Sequence, residues 1–320
     1  MKAAVVSAFD APPRYTTFEE PVAGEGELLV TVSAAGLHPI VKALANGTHY
    51  GSTGVLPFIP GLDGVGRLAD GARVYFGMAR SPFGTFAEKT LASAAMYMAL
   101  PDGLDDALAA ALANPAMSSW AGLTVRGKFV DGESVLILGA TGVAGQLAVQ
   151  IAKRLGARRV VAAGRNPQAL EKLKELGADA VISLEQEHDA LVKAFRGEIA
   201  GEGVDVVLDY LWGAPAEAVL AAISQKGLSH AASRIRFVQV GSSAGGTISL
   251  AAATLRSSGV ELLGSGFGSA SLAQIFEAIG ELFKEAVAKP FAIDVKRVAL
   301  RDVESVWKSP ESGIRLVFQP

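Results

Sequence analysis

The segment Ser134-Val-Leu-Ile-Leu-Gly139-Ala-Thr-Gly142-Val-Ala-Gly145-Gln-Leu-Ala148 constrains this chain more than any other. Apolar β-forming residues run straight into three glycines. A helical pattern then leaves them, with Val143, Leu147, Ile151 and Leu155 on one face. A strand that ends in a glycine turn and restarts as a helix aims the helix's first N–H groups at one point, where a pyrophosphate can sit. Gly142 lets the backbone approach the phosphates, and Gly145 lets the helix pack closely on the strand. Gly139, Thr141, Gly142, Val143 and Gly145 are therefore the first candidate cofactor contacts. The spacing is G-x-x-G-x-x-G, not the usual G-x-G-x-x-G, so the glycines alone say little. The strand before, the helix after and a second βαβ unit downstream carry the expectation of a dinucleotide site.

That second unit is legible. Residues 159–163 read as a strand, and 167–176 as a helix opened by Asn166 as N-cap, with Pro167 at its first position and Gly177 at its end. Further strands are expected at 180–183, 204–210, 236–240 and 261–264, with a helix at 214–223. The run at 204–210 is almost continuously apolar, as a strand covered on both faces must be. This alternation predicts a doubly wound parallel Rossmann sheet. The first third differs. Short strands are expected at 3–6, 27–34, 73–76 and 85–89, punctuated by prolines, before a helical stretch at 104–113. After a helix at 272–288 the chain ends in a β-like tail that resembles the first third more than the middle. The expected fold class is α/β, a Rossmann sheet plus a discontinuous β domain. The boundaries are set at 1–113 with 267–320 for the β domain and 114–266 for the nucleotide domain.

Composition narrows the chemistry. The 320 residues contain no cysteine, which excludes disulfides, a thiolate nucleophile and cysteine-ligated zinc. The formal net charge of −3 offers no broad basic surface to nucleic acid or an anionic membrane. The N-terminus meets Asp10 before a signal-peptide core can form, and no apolar run reaches the length of a membrane span. A cytoplasmic protein is expected.

The nucleotide is read from the end of the second strand. NAD-binding folds place an Asp or Glu there to hold the ribose 2′-OH. Here the segment is Val160-Val-Ala-Ala-Gly164-Arg165-Asn166, without an acid. A guanidinium binds a 2′-phosphate, whereas an acid would repel it. Arg165 is the expected selector for NADPH, with Gly164 giving room and Asn166 a further donor. A solvated arginine near a helix start is the plainer alternative.

Several stretches resemble the medium-chain dehydrogenase/reductase superfamily, and within it the zinc-free quinone oxidoreductase branch. Met1-Lys-Ala-Ala-Val-Val6 is similar to the family's opening strand, and Ala34-Ala-Gly-Leu-His-Pro39 to its Ala-Ala-Gly-Val-Asn-Pro motif. Pro57-Phe-Ile-Pro-Gly-Leu-Asp-Gly-Val-Gly66 is similar to Pro-x-x-Pro-Gly-x-Asp-x-x-Gly, and Gly84-Thr-Phe-Ala-Glu88 to Gly-x-x-Ala-Glu. Asp131-Gly-Glu-Ser134 with the glycine loop, and Val204-Asp-Val-Val-Leu-Asp209, complete a similarity that covers nearly the whole chain.

The resemblance implies a GroES-like β domain, an active site in the cleft between two domains, and a homodimer joined through the last Rossmann strands. It implies hydride transfer from NADPH to a quinone or α,β-unsaturated carbonyl. Zinc-dependent relatives carry a metal-binding Cys and a Gly-His-Glu motif. Here Ala35 and Gly61-Leu62-Asp63 stand in their places, and His38, His49, His188 and His230 do not supply that ligand pattern. No metal is expected. His38 stands where the branch usually has Asn, and Val41 where it has Asp.

Most of the chemistry of hydride transfer belongs to the cofactor; the protein can add a donor at the carbonyl oxygen. His38 and Tyr50 are candidates on the substrate loop, and His49 is read as a surface loop residue. For His38 the plainer reading is an imidazole satisfied by loop backbone. Ser118, in Asn114-Pro-Ala-Met-Ser118, stands where the family usually has a Thr near the nicotinamide. Gly241 and Ser242 are expected to line the cofactor path, and Gly266 and Phe267 to contact the carboxamide. Asp209 is read as structural and Trp212 as cleft lining or core. Two alternatives stay open: a zinc-free alcohol dehydrogenase or carbonyl reductase, and a non-catalytic NADPH-binding protein.

Overall fold

The computed structural model describes residues 1–224, 232–266, 268–309 and 313–320. His230 and Phe267 lie outside the described residues. The chain forms two compact units, Met1–Pro115 with Ile279–Pro320, and Ala116–Ala278.

In the first unit, β1 (Lys2–Val5) pairs antiparallel with β2 (Arg14–Thr17). A larger sheet is built from β3 (Glu27–Gly36), β4 (Gly64–Arg67), β5 (Arg73–Phe76), β6 (Lys89–Ser93) and β7 (Tyr97–Ala99), with helix α1 (Pro39–Ala45) between β3 and β4. The long strand β3 alternates buried and open positions along its middle, as a strand with one face on the core does, and this ten-residue strand pairs with both β4 and β6. Helix α2 (Asp106–Ala121) runs on through Pro115 into the second unit, longer than the expected 104–113. The expected strand at 85–89 lies later, as β6, because 85–88 is held by irregular pairing such as the isolated bridge between Ala3 and Ala87.

In the second unit, β8 (Ser134–Leu138), α3 (Val143–Arg154), β9 (Arg159–Gly164), α4 (Pro167–Glu175), β10 (Ala180–Ser183), α5 (His188–Ala200), β11 (Val206–Asp209), α6 (Gly213–Ile223), β12 (Arg234–Gln239), α7 (Ala252–Arg256) and β13 (Gly259–Gly264) alternate; the strands and α3, α4 and α6 fall near their expected places, and α5 and α7 are additions. All five strand pairings are parallel, in the order β10-β9-β8-β11-β12-β13. The order reverses between β8 and β11, and ligands of such sheets bind outside the strand ends at that reversal. Every residue of β8 and of β11 is buried, which accounts for the apolar runs Val135-Leu-Ile-Leu138 and Val206-Val-Leu208.

Helix α8 (Leu272–Ala288) leads back to the first unit, and the unit division falls within it. The tail then supplies β14 (Asp294–Ala299), the short helix α9 (Val303–Val306) and β15 (Ile314–Gln319). Strand β15 lies between β14 and β3, pairing Val317 with Gly36 and Phe318 with Ala35. The β domain is therefore discontinuous in sequence, and its core joins Phe86 to Phe318 and Trp307 in edge-on aromatic contacts. Among the described residues, no helix is long and apolar enough to cross a membrane.

Candidate functional site

The glycine loop is anchored to the end of β9. The N–H groups of Gly139 and Ala140 both donate to the Ala163 carbonyl, at 3.0 and 2.9 Å. Gly139 has φ +84°, a left-handed value that a side chain would strain. Gly145 packs so tightly that a Cβ there would meet Gly139 O at 2.3 Å and Ala140 Cα at 2.4 Å. Gly142, the N-cap of α3, is different. Its φ is −77°, and a Cβ would find its nearest neighbour at 3.7 Å. Gly142 has no side chain to cap α3, and among the described residues no other side chain accepts there, so the N–H groups of Val143, Ala144 and Gly145 are left for an outside acceptor. Gln146 Nε2 donates to Thr141 O at 3.0 Å and stiffens the loop. This cradle of open backbone donors in front of Gly142 fits a pyrophosphate.

Gly164 brings two expected residues together. A Cβ there would stand 2.4 Å from Thr141 Cγ2, so the room that Gly164 provides is room for Thr141. Asn166 caps α4, its Oδ1 accepting from Ala169 N at 2.9 Å. Arg165 between them is exposed, and its guanidinium makes no hydrogen bond or ion pair among the described residues.

Across the sheet reversal, the fully buried Asp209 accepts from the N–H groups of Leu211 and Trp212 at 2.7 and 3.0 Å. Burial pushes its carboxyl up to about 6, against the pull of those two donors. The turn it organises holds Trp212 at φ +55°, unusual for a non-glycine residue. The Asp209 carbonyl also accepts from Val240 and Gly241 N–H, which sets Gly241 against the Tyr210 backbone. Ser242, Trp212, Phe237 and Gln239 line a cleft of about 410 Å³ beside β13. Gly266 is exposed, its N–H donating to Ser269 Oγ at 2.7 Å.

Ser118 sits inside α2. Its Oγ lies 3.4 Å from Tyr210 Oη, and the neighbouring Ser119 Oγ approaches the same oxygen at 2.7 Å. Burial pushes the Tyr210 phenol up to about 12, so it stays protonated. Sequence reasoning passed over Ser119 and Tyr210. The one available signal was that Tyr210 directly follows the strand-ending Asp209.

In the first unit, His38 is the N-cap of α1, yet its side chain makes no cap hydrogen bond. The ring turns inward and is fully buried. A Cβ on Gly36 would meet its Nε2 at 2.6 Å, so that glycine makes the space for the imidazole. Among the described residues neither ring nitrogen has a hydrogen-bond partner, which removes the reading of a histidine satisfied by loop backbone. Desolvation, helped by the Arg315 charge, pushes His38 well below the usual imidazole range. The nearest counter-group is Asp63, with Oδ1 at 3.7 Å from Nε2. Tyr50 is the reverse case: it is 80 % exposed and stacked on His49 at 4.2 Å between ring centroids. Among the described residues no three His, Cys, Asp or Glu side chains gather as a metal site would require.

The zinc-binding dehydrogenase family matches residues 143–285. The chain is 28 % identical to a probable NADPH-dependent quinone reductase of Emericella nidulans, across the full length of both. It is 31 % identical, over 71 % of its length, to a mycocerosic acid synthase-like polyketide synthase of Mycobacterium tuberculosis, of which it spans only 10 %. Its fold superposes on the quinone oxidoreductase of Thermus thermophilus, whose complex with NADPH has also been solved, with TM-score 0.79, 25 % identity and full coverage of both chains.

Proposed function

We propose, because the chain belongs to the medium-chain dehydrogenase/reductase superfamily, that it is an NADPH-dependent, zinc-independent reductase of a quinone or an α,β-unsaturated carbonyl. The observation that carries this reading is the uncapped start of α3 behind Gly142, together with an Arg165 that has no partner among the described residues and stands where an acid would select NAD. Bound NADPH supplies the hydride. The chain's part is to hold the cofactor, orient the acceptor and provide a proton. The α3 N–H groups bind the pyrophosphate, and Arg165 binds the 2′-phosphate. Gly241, Ser242 and Gly266 border the rest of the cofactor. Tyr50, whose ring reaches solvent, donates to the acceptor's carbonyl oxygen, and Ser118 is held for the same task by Tyr210. His38 acts from behind the surface. The outer edge of β13, the last strand of the sheet, is the proposed joint of a homodimer.

The test is NADPH consumption against a panel of quinones and enones, with NADH as control and a chelator in parallel. Chelator-insensitive turnover that prefers NADPH is expected. A preference for NADH would remove the role given to Arg165. Tight NADPH binding without any turnover would move the reading to another carbonyl substrate or to a non-catalytic binding protein.

A further inference from the structure

We infer that Asp63 is a positioning residue for His38: held by Tyr75 through one carboxylate oxygen, it presents the other to Nε2 and fixes the buried imidazole as the neutral Nε2–H tautomer. The inference deepens the proposed reductase function, and rests on it only for its kinetic part. Tyr75 Oη donates to Asp63 Oδ2 at 2.9 Å, and both side chains are buried. That bond fixes the carboxylate plane and turns Oδ1 towards the ring. Asp63 Oδ1, His38 Nδ1 and His38 Nε2 are all buried without hydrogen-bond partners among the described residues. Buried polar atoms left in this way are uncommon, and two that face each other have a shared purpose. The 3.7 Å between them is too short to hold a water in line, since two hydrogen bonds end to end span roughly 5.5 Å. A closure of about 0.8 Å makes the direct bond.

Charge decides which way the bond runs. A second carrier of charge, Arg315 of β15, donates from Nη1 to the Leu37 carbonyl at 2.6 Å and opposes a positive imidazole. It also favours the ionised Asp63, while burial pushes that carboxyl up to about 6. Near neutral pH the pair is therefore carboxylate and neutral ring, and only an Nε2–H can donate to a carboxylate. Among the described residues Tyr75 and Arg315 are the titratable groups that face the pair, and Thr85, whose hydroxyl is also buried against Gly61, is uncharged. His38 opens α1, and the chain leaving α1 carries His49 and Tyr50. An imidazole fixed in one state thus fixes the root of the segment proposed to meet the acceptor.

The experiment is long-range 1H–15N NMR of the histidines in the whole protein, with His38 assigned by its loss in His38→Asn, and kcat/KM for a quinone against pH. Wild type is expected to show more than about 90 % Nε2–H at His38, the tautomer that a carboxylate acceptor selects. Asp63→Asn keeps an oxygen for Tyr75 but turns an amide N–H towards the ring, so His38 is expected to switch to Nδ1–H. The wild-type profile is expected to fall below about pH 6, and the Asp63→Asn profile to lose that inflection. An Nδ1–H ring in wild type overturns the inference even where the variant does not fold, and so does an unchanged tautomer in Asp63→Asn. Tautomer occupancy is read without turnover, so its outcome is distinct from failure of the reductase reading. Identical pH profiles in the two proteins would overturn the functional part.

Discussion

Arg165 carries no load in the fold, because its exposed guanidinium has no partner among the described residues. Replacing it should leave stability unchanged and alter only what binds in front of it. Hydrogen bonds to a charged group contribute about 1.5–3 kcal/mol, roughly 10- to 100-fold in affinity. Arg165→Gln is therefore expected to weaken NADPH by that factor and leave NADH untouched, read by fluorescence titration of both nucleotides. Asp209 makes the opposite kind of statement. Its folded carboxyl titrates at about 6, against 3.8 for the same group in an open chain, so the native state binds the proton more tightly than the unfolded one. Stability from this group is fully present below about pH 4 and declines as pH rises towards 6, by on the order of 3 kcal/mol. Asp209→Asn cannot ionise and keeps an acceptor for Leu211 and Trp212. In urea unfolding its midpoint is expected to gain on wild type between about pH 4 and 6.5. A flat difference would show that the two backbone donors cancel the cost of burial.

Glycines in one loop do different work, and their surroundings separate them. A methyl group at position 145 would drive into Gly139 O and Ala140 Cα, so Gly145→Ala should push α3 off its loop, lowering both stability and NADPH affinity. A methyl at position 142 meets nothing closer than 3.7 Å. Gly142→Ala should lower the unfolding free energy by only about 1 kcal/mol, the cost of alanine in place of glycine at an N-cap. It should still weaken NADPH by about tenfold or more, because the methyl stands where the phosphates approach. Equal losses of stability in both variants would make Gly142 a packing residue. The sequence displayed this element well, since strand, loop and helix follow one another without a break from Ser134 to Arg154 and depend on local pattern. The Asn166 cap of α4 was legible for the same reason. What stayed hidden depends on distant neighbours. α2 continues through Pro115 although local rules would break it there, and α5 was not marked by caps or glycines strong enough to stand out. The inward turn of His38 needs the gap at Gly36 and the approach of Asp63 from beyond α1. Nothing in the periodicity of α1 reports either.

Two units with separate cores give the molecule two places at which to come apart. The first closes Phe76, Phe86 and Phe318 into one cluster, although Phe318 comes from the far end of the chain. The second gathers Phe195 and Phe237 with the strands of the parallel sheet. The proposed nucleotide contacts among the described residues all lie in the second, between Gly139 and Gly266, so a ligand that binds there stabilises that unit directly. At about 100 times its dissociation constant, NADPH adds about 2.7 kcal/mol to whatever must unfold to release it. Hydrogen exchange is the measurement that separates the units. The slowest amides of β8, β9 and β11 are expected to exchange roughly 100-fold more slowly with NADPH than without it. The slowest amides of β3 and β15 are expected to keep their rates, because their opening need not release the nucleotide. Equal slowing in both sets would mean that the units open as one cooperative block, with α2 and α8, which each run through a unit division, transmitting the stabilisation. Slowing confined to β3 and β15 would place the nucleotide in the first unit and overturn the glycine-loop reading altogether.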